Sequence, residues 1–159
     1  MADIPSKQFK GTAQTVINTA TDIASGNFSG SPAATFDNTS DAAVPYATLA
    51  NAMIEMPDWG AAPVVGTVVD LYGVLKETDG SGEHDTDAPS GTSANGARYF
   101  GSWTVSGVDA LQRRTILIDL RGVFKCDFYI RNGTAQNMNN DGGTNCVVKI
   151  TPISLGITA

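Results

Sequence analysis

The sequence has little charge and little of what enzyme active sites are built from. Only 16% of its 159 residues are charged, against about 25% in an average domain, and His84 is the single histidine. It contains no Gly-x-Ser-x-Gly elbow, zinc-ligand spacing, phosphate-binding loop or dinucleotide fingerprint. A thiol dyad of His84 with Cys126 or Cys146 is disfavoured, because alternation buries both thiols. We predict that the protein is not an enzyme and holds no cofactor.

Basic residues and long apolar runs are also scarce. Ten Lys and Arg stand against 16 Asp and Glu, which gives a net charge of −6 at pH 7. Phosphate binding needs clustered cations, so no nucleic-acid partner is expected. No run approaches the ~18 apolar residues of a membrane span, and residues 1–11 lack the apolar segment of a signal peptide. We therefore expect a protein made in the cytoplasm, without a membrane partner.

Two cysteines are too few for a disulfide scaffold. Cys126 and Cys146 both lie in strand-like runs, and alternation places both on the apolar side. Two buried free thiols are the favoured interpretation, because cysteine is readily buried as a small hydrophobe. A bridge across adjacent strands is the alternative.

The longest stretch without a predicted element is the polar segment 77–95. Asp79, Ser81, Glu83, Asp85 and Asp87 offer hard oxygen ligands at alternating positions, which makes a weak Ca²⁺ site the alternative interpretation, but the EF-hand order of Asp and Gly is absent. A solvated loop is the favoured interpretation, and no metal site is predicted. The acidic residues are Glu77, Asp79, Glu83, Asp85 and Asp87.

What the chain has in abundance is short β-branched apolar runs. Three of them, residues 115–120, 123–130 and 146–153, are separated by turn residues such as Asn132-Gly133. The period-two pattern of the middle run predicts a strand with one apolar and one wet face. Its apolar positions are Phe124, Cys126, Phe128 and Ile130, and its wet positions are Lys125, Asp127 and Arg131.

Five earlier segments also predict strands: residues 14–23, 34–37, 44–56, 67–75 and 98–105. Segment 44–56 matches a helical stripe equally well, but Pro45 and Pro57 bound it and its neighbours are sheet, so we predict a strand. About eight strands without a helical spacer predict an all-β sandwich or jelly roll. Residues 13–159 are expected to form this single domain, and residues 1–12 an N-terminal arm, either disordered or docked on a neighbouring subunit.

The order of segments resembles a family of small virion structural proteins of tailed bacteriophages. The resemblance covers roughly residues 12–155 and consists of strand and turn patterns rather than catalytic signatures. The segments that carry it are Thr21-Asp22-Ile23-Ala24-Ser25-Gly26, Phe36-Asp37-Asn38, residues 46–56, Val69-Asp70-Leu71-Tyr72, Asp79-Gly80, Phe128-Tyr129-Ile130-Arg131-Asn132-Gly133-Thr134 and Ile150-Thr151-Pro152.

This resemblance implies a jelly-roll-like antiparallel β-sandwich of about eight strands, located on the capsid surface of a virion. The implied role is decoration or cementing of the capsid at capsomer junctions. The implied partners are the major capsid protein and further copies of the chain, with a homotrimer as the natural form at local three-fold axes. Ile4 and Phe9 in the arm, and Trp59 and Trp103, are the candidate interaction residues.

Two other function classes make different predictions. A carbohydrate- or host-receptor-binding module on a head fibre, neck or tail predicts that Trp59 or Trp103 is exposed for stacking on a sugar. Core or interface packing of both indoles is nevertheless favoured, because Trp103 lies within a predicted strand. A hydrolytic enzyme predicts a pocket that joins His84 to a nucleophile.

Overall fold

The computed structural model describes residues 6–42, 44–76, 87–138 and 144–157. These residues contain no helix, and hence none long and apolar enough to cross a membrane. The predicted all-β fold is confirmed, with one strand more than expected. The strands are β1 (Ser6–Lys10), β2 (Gln14–Thr19), β3 (Phe36–Asp37), β4 (Leu49–Met56), β5 (Val68–Lys76), β6 (Arg98–Thr104), β7 (Gln112–Asp119), β8 (Lys125–Asn132) and β9 (Cys146–Ile157).

The strands form two antiparallel sheets. In the five-stranded sheet β1 and β2 both pair with β9, which is followed by β4 and β7; the four-stranded sheet has the order β3-β8-β5-β6. Four antiparallel strand pairs are nested in sequence, as in one long hairpin rolled up on itself. They are β2–β9, β3–β8, β4–β7 and β5–β6. This nesting is the jelly-roll arrangement of two sheets packed face to face, so the predicted jelly-roll-like sandwich is confirmed.

The core lies between the two sheets and follows the alternation of the strands. On β4 the inward residues are all buried, whereas the outward ones are half-buried. Trp103 on β6 is among the largest fully buried side chains, and its indole Nε1 donates a 3.0 Å hydrogen bond to the carbonyl of Ala52. Small residues on β4 therefore stand next to a large one on β6, which keeps the packing dense. The inward β4 residues are Ala50, Ala52, Ile54 and Met56.

The ambiguous segment 44–56 contains a strand, as predicted, but the strand begins at Leu49. Tyr46 has a φ of 55°, in the left-handed region that no strand residue adopts. Its backbone N–H donates a 2.9 Å hydrogen bond to the carbonyl of Asn38, which holds this turn in place. Pro45 and Tyr46 thus belong to the connection between the sheets.

The predicted N-terminal arm is partly a strand. Ser6–Lys10 pairs antiparallel with the end of β9, from Ser6 opposite Ile157 to Lys10 opposite Ile153. The described part of the arm therefore lies along its own chain as a strand. β1 was not predicted because its short sequence, SKQFK, has no apolar run or period-two pattern that indicates a strand. Ile4 lies outside the described residues.

The two cysteines are buried free thiols, so the proposed bridge is wrong. Cys126 lies on β8 in one sheet and Cys146 on β9 in the other. Burial raises the pKa of the Cys146 thiol to about 12. Burial likewise raises the pKa of Cys126, and the neighbouring Asp127 carboxylate adds to the effect. Both cysteines act as small core hydrophobes.

Candidate functional site

The outer face of the five-stranded sheet remains accessible along most of its length. On β4 Leu49, Asn51, Met53 and Glu55 are half-buried, while the side chains between them are fully buried. The same alternation continues on β7, where the outward Leu117 is 61% exposed. An exception is Ile153 on β9, which is buried near the junction with β1.

Strand register joins these outward side chains into three rows. Residues directly opposite each other on neighbouring antiparallel strands have Cβ atoms about 5 Å apart, so each row is continuous. We call these three rows the outer patch. Its rows, from β9 across β4 to β7, are Val147-Glu55-Arg113, Lys149-Met53-Thr115 and Thr151-Asn51-Leu117.

Six of the nine outer-patch side chains are uncharged, and the three charged ones give a net charge of +1 in a chain whose net charge is −6. Arg113 Nε lies 3.0 Å from Glu55 Oε1, so these two charges neutralise each other at one end of the patch. Lys149 is the remaining charged member. Apolar and neutral polar side chains in contiguous exposed positions are typical of a protein contact surface.

The size of the outer patch limits what it can do by itself. Three strands spaced ~4.8 Å apart, over five residues of ~3.3 Å each, cover roughly 240 Å² of sheet. A stable interface buries about 800 Å² on each partner. The outer patch is therefore large enough for the centre of an interface, and further contacts must complete it.

The two tryptophans predicted as interaction residues do not lie on the surface. Trp103 points into the core from β6, and Trp59 is 2% exposed. Trp59 is held by a β-bridge to Met138 and by its backbone N–H, which donates a 2.8 Å hydrogen bond to Asp109 Oδ1. The expected core packing of both indoles is confirmed, and their assignment as contact residues is corrected. Phe9, on β1, is 37% exposed and lies beyond the end of the outer patch.

The residues considered for catalysis or metal binding do not meet in the described part of the chain. His84 and the acidic residues 77–85 lie outside it, and Asp87 is exposed. Among the described residues no group of three potential ligands is arranged to hold a metal ion. Both thiols have raised pKa values, the opposite of what an activated nucleophile needs.

The other sheet has an outer face of a different kind. Phe28, Val74 and Tyr129 form a small buried cluster there, and Tyr72 packs against it. Asp127, expected at a wet position, is 6% exposed; its carboxylate lies 2.6 Å from Lys76 Nζ and accepts a 2.7 Å hydrogen bond from the Thr35 hydroxyl. The prediction of one wet face on β8 is therefore wrong for this residue.

The sequence contained one usable signal for the outer patch. Leu117 is apolar at an outward position between exposed Thr115 and half-buried Asp119, which breaks the alternation of β7. An apolar residue at a wet position is a weak indication of a contact surface, and strand register was needed to bring Asn51 and Thr151 next to it.

Comparison with known proteins gives no match: no family model, no curated protein and no solved structure matches this chain. A function must therefore be argued from the chain's own surfaces.

Proposed function

We propose that this chain is a virion structural protein of a tailed bacteriophage that decorates or cements the capsid. In this proposal the outer patch binds the major capsid protein at capsomer junctions. The observation that carries the proposal is the patch itself, a sheet face with six uncharged side chains out of nine, a net charge of +1 and Leu117 61% exposed at its edge. The jelly-roll-like fold agrees with the fold that the resemblance implies, but a fold alone does not specify a function.

The small size of the outer patch favours a homotrimer. A single contact of this size binds weakly, because association must overcome the loss of translational and rotational freedom. Three patches carried on one trimer bind a three-fold junction with much higher avidity than one patch does. A trimer at local three-fold axes therefore gives stable attachment from individually weak contacts.

The neutral polar residues of the patch restrict what the shell surface must offer. Buried amide and hydroxyl groups cost free energy unless they are hydrogen-bonded. Asn51, Thr115 and Thr151 therefore require donors and acceptors on the partner, while Leu117 and Met53 gain from contact with an apolar surface at about 25 cal/mol per Å².

The first test is the number of copies of this chain in purified virus particles, measured by quantitative mass spectrometry against the major shell protein. Hundreds of copies are expected for a capsid decoration protein. A few to a few tens of copies would contradict it and move the protein to the neck, tail or fibres, and absence from the particles would remove the virion role.

The second test locates the contact. Leu117→Arg is expected to lower occupancy on particles at least tenfold, because it places an unpaired cation within the interface. Val64→Arg is the matched control, since Val64 is also 61% exposed but lies on the loop between β4 and β5, outside the outer patch. Equal occupancy of the two variants would refute the outer patch as the docking surface.

The alternative of a receptor- or carbohydrate-binding module requires an exposed tryptophan on which a sugar can stack. Both indoles are buried, so neither supplies that surface. The enzymatic alternative depends on His84, which lies outside the described residues. No observation on the described residues favours either of these two alternatives in the form in which the sequence suggested it.

A further inference from the structure

A tyrosine on the four-stranded sheet is held rigidly and yet exposed. Tyr99 on β6 is 55% exposed. Its ring packs edge to face against Tyr72 on β5, with centroids 5.5 Å apart, and Tyr72 packs in the same way against Phe28 at 5.1 Å. The row of rings fixes the orientation of Tyr99, so a ligand that stacks on it meets a preorganised surface.

A chain of hydrogen bonds connects this tyrosine to a carboxylate. Ser102 Oγ donates a 2.5 Å hydrogen bond to Asp70 Oδ1, and the Tyr99 hydroxyl lies 2.5 Å from Ser102 Oγ. Because the single Ser102 proton is directed to Asp70, the Tyr99 hydroxyl is the donor to Ser102. Asp70 thus has one oxygen bound to Ser102, while the other remains able to accept a hydrogen bond.

An arginine stands across from that carboxylate without bonding to it. Asp70 on β5 and Arg131 on β8 are direct register partners, and their side chains share the outer face. Oppositely charged residues in this position normally attract each other. Arg131 instead donates from Nε to the carbonyl of Gly26 at 3.2 Å, and no ion pair joins it to Asp70. The Asp70 carboxylate, an acceptor, and the Arg131 guanidinium, a donor, are both half-buried and therefore lie next to each other on the same face of the sheet.

We propose that this surface binds a pyranose ring of a neutral carbohydrate. We call it the tyrosine platform and define it by Tyr72, Tyr99, Ser102, Asp70 and Arg131. The apolar C–H face of a pyranose stacks on the exposed ring of Tyr99. Its hydroxyl groups donate to Asp70 and accept from Arg131, and charge-assisted hydrogen bonds of this kind are among the stronger ones.

The charges of the platform favour a neutral ligand. Asp70 and Arg131 carry opposite charges, so a ligand with a net charge gains at one and loses at the other. A polyhydroxylated ring has both donors and acceptors and satisfies the two at once. One exposed aromatic ring with three polar side chains is also much smaller than the ~800 Å² that a protein partner requires.

The inference does not depend on the proposed capsid role. The tyrosine platform lies on the outer face of the four-stranded sheet and the outer patch on that of the five-stranded sheet, so the two surfaces point in opposite directions. A copy attached through its outer patch would present its platform away from the surface to which it is bound.

The test is a titration of the full chain followed by amide chemical shifts in NMR. The probes are methyl α-D-glucopyranoside, methyl α-D-galactopyranoside and N-acetylglucosamine. One stacked ring and a few hydrogen bonds predict roughly millimolar dissociation constants. Saturable shifts are expected with at least one probe, confined to β5, β6 and β8. Absence of saturable shifts with all three probes would overturn the proposal.

Matched variants identify the platform. Tyr99→Ala is expected to weaken binding at least tenfold, whereas Tyr99→Phe, which keeps the ring, should remain within about threefold of the parent chain. Leu117→Ala removes a side chain of similar exposure from the opposite face and should leave binding unchanged. Asp70→Ala should weaken binding by roughly fivefold or more, with Glu55→Ala as its unchanged control. Binding that survives Tyr99→Ala would refute the assignment.

Discussion

The outer faces of the two sheets differ in how far other segments of the chain cover them. On the five-stranded sheet the outward side chains of β4 and β7 remain half-buried or exposed, whereas on the four-stranded sheet Phe28, Val74 and Tyr129 are buried. The cause is the path of the connections. The segment between β2 and β3 runs beside β8, and the loop before β6 reaches it where the carbonyl of Gly91 accepts a 2.8 Å hydrogen bond from the Phe28 N–H.

The lesson is that alternation defines two faces of a strand but does not determine which of them stays wet. Among the ion pairs on the two outer faces, Arg113–Glu55 on the five-stranded sheet and Lys76–Asp127 on the four-stranded sheet have different surroundings. The side chains of Arg113 and Glu55 are 64% and 22% exposed, whereas the side chains of Lys76 and Asp127 are 21% and 9% exposed. The same chemistry is therefore structural on one sheet and nearly neutral in free energy on the other.

The inner faces of the two sheets should be equally protected from solvent. Each carries one buried cysteine, whose reactivity measures that protection. At pH 8 Cys126 and Cys146 should react with a thiol reagent at least ~10³-fold more slowly in the native protein than in denaturant, because a stable domain exposes them only by unfolding. The rate of thiol labelling with and without denaturant measures this difference in reactivity. Rapid native labelling of either cysteine would show that its sheet edge opens locally.

Truncating one apolar side chain on each outer face should separate the faces clearly. Phe28→Ala is expected to cost about 3 kcal/mol, because it leaves a cavity among Tyr72, Val74 and Tyr129. Leu117→Ala, at an exposed position, should cost less than about 0.5 kcal/mol. Chemical denaturation of both variants measures the difference. Equal costs would mean that the segment carrying Phe28 does not stabilise the four-stranded sheet.

The two ion pairs provide a second comparison with a smaller effect. Asp127→Ala should cost about 2 kcal/mol, because Lys76 loses its partner in a partly buried position and Thr35 loses its acceptor. Glu55→Ala should cost less than about 1 kcal/mol, since Arg113 is well solvated. Thermal unfolding of the two variants side by side tests this. A larger loss of stability for Glu55→Ala would contradict the conclusion that the Lys76–Asp127 pair is the structural one.

The smallest expected effect is a pH dependence at the edge of the five-stranded sheet. Hydrogen bonds from the Arg121 side chain and backbone lower the pKa of Asp119 to about 2. Because the folded pKa is below the unfolded value of 3.8, the stabilisation is present above pH 4 and is lost as the pH falls towards 2. The stability profile of Asp119→Asn should therefore differ from that of the parent chain in slope only below pH 4. A difference in slope near neutral pH would exclude this cause.

Much of the fold was predictable because strand and turn signals are local. The segment containing β4 was correctly predicted as a strand, and its alternating Ala50, Ala52, Ile54 and Met56 line the core. β8 shows the limit of predicting buried positions from alternation. Phe124, expected on its apolar face, precedes the strand and is 42% exposed, while Asp127 is buried. Both outcomes depend on connections distant in sequence, which period-two counting does not register.

The candidate surfaces were less predictable than the fold. Trp59 and Trp103 were considered as contact residues because of their type, but their positions in the core exclude that role. The outer patch combines side chains from β4, β7 and β9, and the tyrosine platform side chains from β5, β6 and β8. Neither set is contiguous in sequence, so only strand register reveals it.

The nested strand pairing has a consequence for how the chain folds. The innermost pair brings Val69 to Trp103, while the pairs of β9 with β2 and β1 bring Gln14 to Ile150 and Ser6 to Ile157. Loop closure costs more entropy for longer loops, and domains rich in distant contacts fold slowly, in milliseconds to seconds. We expect pairing to proceed from the middle of the chain to its ends, with β2 and β9 joining last. The five-stranded sheet is then complete only when the rest of the sandwich has formed.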